Sequence, residues 1–165
     1  MIVIKFGGHA MTDTDGEFAS VIRKYLDTNR NLVIVHGGGP QIDAALKTHK
    51  LESTFIGGFR VTTPEIFAVV QQVLCGTVLR EIVGHLRAHD VSAVGICGRD
   101  GGTLKAQLLT TLVDGTEVDL GRVGEVVAVD ISLIKSLLQS NFIPVISPIA
   151  VEFDGEIELA KHGLN

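Results

Sequence analysis

The sequence predicts an α/β fold: a three-layer αβα sandwich with a mostly parallel central sheet and inserted β-hairpins. Short β-branched runs alternate with amphipathic stretches of helical period, the order that builds a parallel sheet with helices on both faces. Glycines, 19 in all, cluster directly after those runs. Aromatic residues are only 5% and Trp is absent, so the core must be aliphatic. A length of 165 residues fits one domain or one lobe of a larger enzyme.

Ile2 to Phe6 is a buried strand by run length and β-branching, ended by Gly7-Gly8. Glu17 to Asp27 reads as a helix, with Phe18, Val21, Ile22, Tyr25 and Leu26 on one face. Leu32 to His36 is a second buried strand, closed by Gly37-Gly38-Gly39, and Pro40 suits the start of a helix to about Thr48. Thr62 and Glu65 have capping-box spacing, and Pro64 begins a long helix to about Ala88. Its apolar residues, from Ile66 and Phe67 to Ile82 and Val83, cover more than one stripe. The helix is therefore expected to bury two faces, one on the chain's own sheet and one on a second subunit, as a homodimer through residues 64–88. Gly76 and Gly84 would allow close approach there.

Val91 to Cys97 is a third buried strand. Leu104 to Val113, an Asp114-Gly115 turn and Glu117 to Leu120 read as a hairpin, and Gly124 to Val129 as another strand. Asp130 caps a helix of about Ile131 to Gln139. Phe142 to Ile149 is a strand in which Pro144 and Pro148 imply a bend and few neighbours at those points. Asp154-Gly155 makes a last hairpin turn.

The formal charge of −5 and the scarcity of aromatics argue against nucleic-acid binding. No unbroken apolar run approaches the roughly 18 residues that cross a bilayer. Met1 to Lys5 has no signal-peptide architecture, so a cytoplasmic protein without a membrane span is expected. Cys75 and Cys97 are too few for a disulfide framework or a zinc site and read as small buried apolar residues. His85 and His89 are four apart on a helix with no third ligand evident, which favours a solvated face. Asp13, Asp15 and Glu17 have the spacing of part of a calcium loop. The required glycine and distal glutamate are out of register, so these residues start the first helix instead. No metal site is expected.

Ligands of open α/β sheets bind at the carboxyl ends of strands, near helix N-termini. Gly7-Gly8 and Gly37-Gly38-Gly39 lie there. Glycine lets backbone N–H groups approach an anion, and the Pro40 helix would point its positive end at the same place. Lys5 adds a cation beside the first loop. These loops read either as a site for phosphate or carboxylate oxygens or as two tight turns with a surface lysine. Neither fits the Walker A or the dinucleotide glycine pattern. Arg60, in Gly57-Gly58-Phe59-Arg60-Val61-Thr62, reads either as a bidentate carboxylate ligand or as a solvated surface arginine. His36 lies beside the triple glycine, with no proton-transfer role assigned to it.

Taken in order, Lys5-Phe6-Gly7-Gly8, the stretch His36-Gly37-Gly38-Gly39-Pro40-Gln41 and Arg60-Val61-Thr62 resemble acetylglutamate kinase of the amino-acid kinase superfamily. Ala93 to Ile96 with Asp100-Gly101, Val118 to Val126 and Phe142 to Ile149 extend the resemblance over nearly the whole chain. It implies ATP-dependent phosphorylation, with Mg2+, of the γ-carboxylate of N-acetyl-L-glutamate, the second step of arginine biosynthesis. By resemblance Lys5 stabilises the transferring phosphoryl group and Gly8 donates an N–H to the same oxygens. Gly37 and Gly38 hold the γ-carboxylate, Arg60 holds the α-carboxylate, and Asn165 matches the first asparagine of the family's N-x-N-A-D segment. Gly58 stands where the family has Asn. Residues 1–165 correspond to the family's amino-acid-binding lobe without its ATP-binding lobe, so turnover by this chain alone is not expected. A non-catalytic acylamino-acid-binding or dimerisation module, and a sibling kinase acting on another amino-acid carboxylate, are the alternatives.

Overall fold

The computed structural model describes residues 1–7, 16–28, 31–152 and, for the backbone, 158–160. In chain order the elements are β1 (Ile2–Phe6), α1 (Glu17–Leu26), β2 (Leu32–His36), α2 (Gly39–Thr48), β3 (Phe55–Ile56) and β4 (Phe59–Arg60). A long helix follows, made of α3 (Pro64–Gln71), a π-helical segment (Gln72–Val78) and α4 (Leu79–Ala88). Then come β5 (Ala93–Cys97), a 3-10 turn (Asp100–Gly102), β6 (Leu104–Leu108), β7 (Gly124–Val129), α5 (Ser132–Gln139), β8 (Ile143–Ser147), β9 (Ile149–Glu152) and β10 (Glu158–Ala160).

The central sheet is parallel throughout, in the order β1-β2-β8-β5. Alternation along its strands creates two faces. Leu32 and Ile34 of β2, Ile143 and Val145 of β8 and Ala93 of β5 join α1, α2 and the long helix in the larger core. Val33, Ile146 and Ile96 point the other way, onto Ile134, Leu133, Leu137 and Leu138 of α5. Helices, sheet and helix form the three layers that the sequence predicts. A second, mixed sheet in the order β10-β9-β6-β7 is attached through Pro148, where the chain turns out of β8 into β9.

Several expectations shift by a residue or change place. The long helix is capped by Thr63 rather than Thr62, its hydroxyl accepting from the Ile66 N–H at 3.3 Å. Thr62 is instead fully buried and bridges to Gly121. The Asp130 carboxylate accepts from the Ser132 N–H at 2.8 Å, one residue outside the position of a true cap. In α1 the buried face is Ala19, Ile22 and Leu26, while Val21 is exposed. The hairpin after the third strand pairs β6 with β7, Leu104 opposite Val129. Residues 109–123 are an excursion from it, closed by the bridge Thr111 to Glu117 around the Asp114-Gly115 turn. The Asp154-Gly155 turn lies outside the described residues, although β9 and β10 on either side pair antiparallel.

Pro144 corrects the expectation of few neighbours most clearly. It is buried in β8, a central strand with β2 on one side and β5 on the other. The Ile143 N–H donates toward β5, to Ser92 O at 2.9 Å, so by alternation the missing N–H of Pro144 falls on the β2 side. Pairing with β2 begins only at Val145, opposite Ile34. The proline thus removes no ladder hydrogen bond.

The long helix also departs from its sequence-based reading. Ile66, Phe67, Val69, Val70, Val73, Leu74, Val78, Leu79 and Ile82 are all buried within this one chain, against α1, α2, β5 and β8. No second apolar face remains for a partner. The exposed positions are Pro64, Glu65, Ala68, Gln72, Gly76, Thr77, Arg80, Glu81, Gly84, His85, Arg87 and Ala88, a small, polar and partly charged surface. The 25-residue helix Pro64–Ala88 contains an 18-residue stretch long and apolar enough to cross a membrane, although its apolar residues form no unbroken run. Half of that apolar stretch is buried inside the protein.

Candidate functional site

The carboxyl ends of the four parallel strands form one edge: Phe6 and Gly7 of β1, His36 and Gly37 of β2, Ser147 of β8 and Cys97 of β5. Phe6 pairs with His36, and Cys97 with Ser147. Helix α2 starts at Gly39 directly beyond β2, with Pro40 in its first turn. First-turn N–H groups have no intrahelical acceptor, so those of α2 and the positive end of its dipole are directed at this edge.

The two glycine loops meet. The Gly37 N–H donates to Phe6 O at 3.0 Å, which zips the end of β1 to β2. That amide is therefore committed to the sheet, which leaves the α2 end of the loop, after Gly37, for a ligand. Gly38 is where the loop lies closest to the long helix: a Cβ there would meet Leu74 Cδ2 at 2.7 Å and Val78 Cγ2 at 3.4 Å. Lys5 is exposed and pairs with Val35, so its side chain leaves the sheet on the α5 face. Gly8 and Asn165 lie outside the described residues.

Arg60 is not a solvated surface arginine; it is 2% exposed, among the largest fully buried side chains. The tight β3–β4 hairpin puts it there. Its two central residues, Gly57 and Gly58, both have positive φ (56° and 83°), the conformation of a type I′ turn. The Arg60 guanidinium stacks over Phe55 at 4.5 Å, donates to Ser53 Oγ, and pairs with Asp43 Oδ1 at 2.6 Å. Asp43 is in the first turns of α2, so the cation stands beside the start of that helix. The backbone after Arg60 is held by the 109–123 excursion: Thr62 N–H donates to Leu120 O at 2.9 Å, and Arg122 N–H to Thr62 O at 2.8 Å.

Buried polar atoms without a partner gather at the same place. Among the described residues they are His36 Nε2, Gln41 Oε1 and Arg60 Nε, with Tyr25 Oη the fourth. The first three sit at the β2–α2 junction or against it. Buried polar groups are normally hydrogen-bonded, so two unmet acceptors, His36 Nε2 and Gln41 Oε1, at the β2–α2 junction and one unmet donor, Arg60 Nε, beside Asp43 of α2 leave bonding capacity for a polar molecule. His36 Nδ1–H donates to Gly37 O at 2.8 Å, and burial lowers the imidazole pKa below its ordinary 6.5. The ring is neutral at pH 7, with its Nε2 lone pair unmet.

Sequence reasoning missed a second group on this edge. Cys75, from the π-helical segment, lies 3.5 Å from Ser147 Oγ, beside Cys97 on the neighbouring strand. Both thiols are half-buried and hydrogen-bonded rather than simply packed. The signal was faint: two isolated cysteines 22 positions apart, brought together only by the crossover. His89, the other singled-out histidine, turns its Nδ1 to the carbonyl of His85 at 2.9 Å. Among the described residues no three His, Cys, Asp or Glu side chains gather as metal ligands.

Compared with known proteins, residues 1–163 match the model of the Amino acid kinase family. The chain is 51% identical over 153 residues to an acetylglutamate kinase of Paenarthrobacter aurescens, covering 92% of this chain and 48% of that protein. It is 48% identical over 166 residues to an acetylglutamate kinase of Acidothermus cellulolyticus, covering 99% and 56%. The chain thus spans about half the length of these curated relatives. Among solved structures, smu.665 from Streptococcus mutans superposes with a TM-score of 0.83 at 28% identity, over 96% of this chain and 62% of that one. N-acetylglutamate synthase from Neisseria gonorrhoeae, complexed with coenzyme A and N-acetyl-glutamate, shares the fold at a TM-score of 0.75 and 20% identity, over 96% of this chain and 35% of that one.

Proposed function

Because the chain belongs to the amino acid kinase family, we propose that it is the substrate-binding lobe of a kinase that phosphorylates the γ-carboxylate of N-acetyl-L-glutamate in arginine biosynthesis. The observation that carries this reading is the set of unmet polar atoms of His36, Gln41 and Arg60 around the Gly37–Gly39 loop. Arg60 Nε is a donor suited to a carboxylate, and His36 Nε2 and Gln41 Oε1 are acceptors suited to an N–H such as that of an N-acyl group; the acetylglutamate kinases that share about half of this chain's residues are named for a ligand with both.

The chemistry asks little of the protein. A carboxylate is already ionised and attacks phosphorus without a general base, so positioning and charge stabilisation suffice. The start of α2, with Gly38, receives the γ-carboxylate. Arg60 receives the α-carboxylate through a guanidinium kept charged and oriented by Asp43, Ser53 and Phe55. Lys5 faces the transferring phosphoryl group, a role in which the family resemblance joins Gly8 to it. ATP with Mg2+ supplies that group. Among the described residues, those that suit it are Lys5 and the glycine amides near the α2 dipole, at its phosphoryl end. In this reading base and ribose fall to a separate ATP-binding lobe, as does the segment that Asn165 would open. The enzyme is cytoplasmic and homodimeric through the exposed stripe of Pro64–Ala88, where a Cβ added at Gly76 or Gly84 meets nothing within 4 Å of this chain. It engages neither nucleic acid nor membrane.

Calorimetric titration tests the reading. N-acetyl-L-glutamate is expected to bind this chain, plain glutamate to bind far more weakly, and ATP to give no signal. Hydroxylamine trapping is expected to detect no acyl phosphate from this chain alone. Equal affinity for acetylated and plain glutamate would remove the substrate assignment. Trapped acyl phosphate would overturn the division of labour between lobes. A homologue one methylene longer is expected to bind about 1–3 kcal/mol more weakly, and the reverse order would favour a sibling amino-acid carboxylate kinase.

A further inference from the structure

The cysteines at the carboxyl edge of the sheet are built as a pair. Cys97 and Ser147 are register partners in adjacent parallel strands, so their side chains leave the sheet on the same face. Cys75 descends onto that face from the long helix and reaches Ser147 Oγ at 3.5 Å. It comes from the π-helical segment Gln72–Val78, a distortion that re-aims side chains and recurs at functional sites. The environment of the two sulfurs is unequal. Cys75 and the backbone N–H groups of Arg99 and Asp100 favour the Cys97 thiolate, against the opposing effects of burial and the Asp100 carboxylate. The Cys97 N–H donates to Asp100 Oδ2 at 2.8 Å, which fixes that turn. These donors lower the Cys97 thiol to about 7, whereas donation to Cys97 and burial raise the Cys75 thiol well above its ordinary range. Both remain half-buried, open to a small reagent.

We propose that Cys97 and Cys75 form a thiol–disulfide exchange site, with Cys97 as the attacking thiolate and Cys75 as the resolving thiol, acting on a low-molecular-weight disulfide. In the first step Cys97 Sγ attacks one sulfur of the small disulfide. The S–S bond breaks, and the departing thiolate leaves with the electron pair and takes a proton from solvent. The Cys97 sulfur, now in a mixed disulfide, no longer accepts the Cys75 proton as a thiolate does, so Cys75 ionises more easily. Cys75 then gives its proton to solvent past Ser147 and attacks Cys97 Sγ, and the second small thiolate leaves and is protonated. Two protein thiols are oxidised to one intramolecular disulfide and one small disulfide is reduced to two thiols. The bond ties the long helix to the end of β5. Leu74, next to Cys75, packs on Gly38, so the link reaches the substrate loop.

The test uses oxidised glutathione on the reduced protein, followed by iodoacetamide and peptide mapping. The wild-type chain is expected to lose two hydrogens, retain no glutathione and yield one cross-linked peptide joining Cys75 to Cys97. Cys75→Ser is expected to stop at a stable glutathione adduct on Cys97, and Cys97→Ser to react roughly tenfold or more slowly. Two alkylated cysteines in the oxidised wild type, a cross-link between chains, or undiminished reaction of Cys97→Ser would each overturn the proposal. The wild-type map decides the matter even if a serine variant fails to fold, which its circular dichroism would report.

Discussion

A guanidinium stays charged at any depth, so burying Arg60 to 2% exposure demands partners. It has Asp43, Ser53 and the Phe55 ring, and Nε is left over. The Asp43 side chain is 61% exposed, so solvent screens that pair and its exchange for a ligand carboxylate costs little. Arg60→Ala is expected to weaken N-acetyl-L-glutamate binding by about 2–5 kcal/mol in calorimetry. Arg60→Lys should recover only part of it, because an ammonium cannot keep two partners and the ring together. Unchanged affinity in Arg60→Ala would remove Arg60 from the site. His36 poses the opposite problem, a titratable group buried neutral. Its folded pKa lies below 6.5, so as pH falls through 6.5 the unfolded chain takes up a proton that the folded chain refuses. Stability is expected to drop as pH falls below about 6.5, measured by urea melts, and His36→Asn should flatten that slope. Asp114 and Asp130, held low by hydrogen bonds from Thr116 and Ser132, lose their contribution only below their ordinary 3.8. The two effects fall in separate windows. An unaltered slope in the His36 variant would contradict the assignment.

At the scale of elements, the segment that delivers Arg60 depends on a contact between loops. Gly121 has φ of 66° and lies so close to Thr62 that a Cβ would run into its carbonyl oxygen. Gly121→Ala combines backbone strain with a backbone clash and should cost about 2 kcal/mol or more. The expected readout is a lower thermal midpoint together with weaker ligand binding, since Thr62 anchors the chain between Arg60 and the long helix; a variant as stable as wild type would show that this loop contact does not hold the segment. Legibility followed local physics. The strands of the central sheet, the helices after each glycine run and the Pro148 bend could be read from period, β-branching and proline chemistry alone. What could not be read was set by partners distant in sequence. Pro144 reads as a bend with few neighbours because its missing donor is local, while the register that makes the loss harmless belongs to β2. Thr62 and Thr63 are equivalent by composition, and only the Gly121 bridge decides which one is buried and which one caps. Val21 and Ala19 exchange roles because β1 and α4 fix the rotation of α1. At the site, the glycine loop and Arg60 were visible as pattern, but the burial of Arg60, the committed amide of Gly37 and the Cys75–Cys97 pair required the fold.

For the whole molecule, the long helix decides how copies could meet. Its apolar content does not argue for a second subunit, because the chain's own layers already bury it. The remaining surface argues differently. Ala68, Gly76, Thr77 and Gly84 keep the helix backbone close to solvent along one stripe, with Gln72 and Arg80 as polar flanks. Helix interiors that carry glycine lose about 1 kcal/mol per residue relative to alanine, and within this chain nothing approaches Gly76 or Gly84 to account for that loss. A second helix packed at short distance would. The pairing would also set the long helix, which carries Leu74 and Val78 against the substrate loop, at the centre of a two-fold assembly, so that each copy braces the other's site from behind. Light scattering at micromolar concentration is expected to give twice the chain mass for the wild type. Gly76→Trp should give the monomer mass, because the bulky ring stands where the partner helix would lie and faces only solvent in a single chain. Circular dichroism should be unchanged in that variant. A wild-type monomer, or a Gly76→Trp dimer, would show that the glycines serve the chain's own folding and that the stripe meets no second copy.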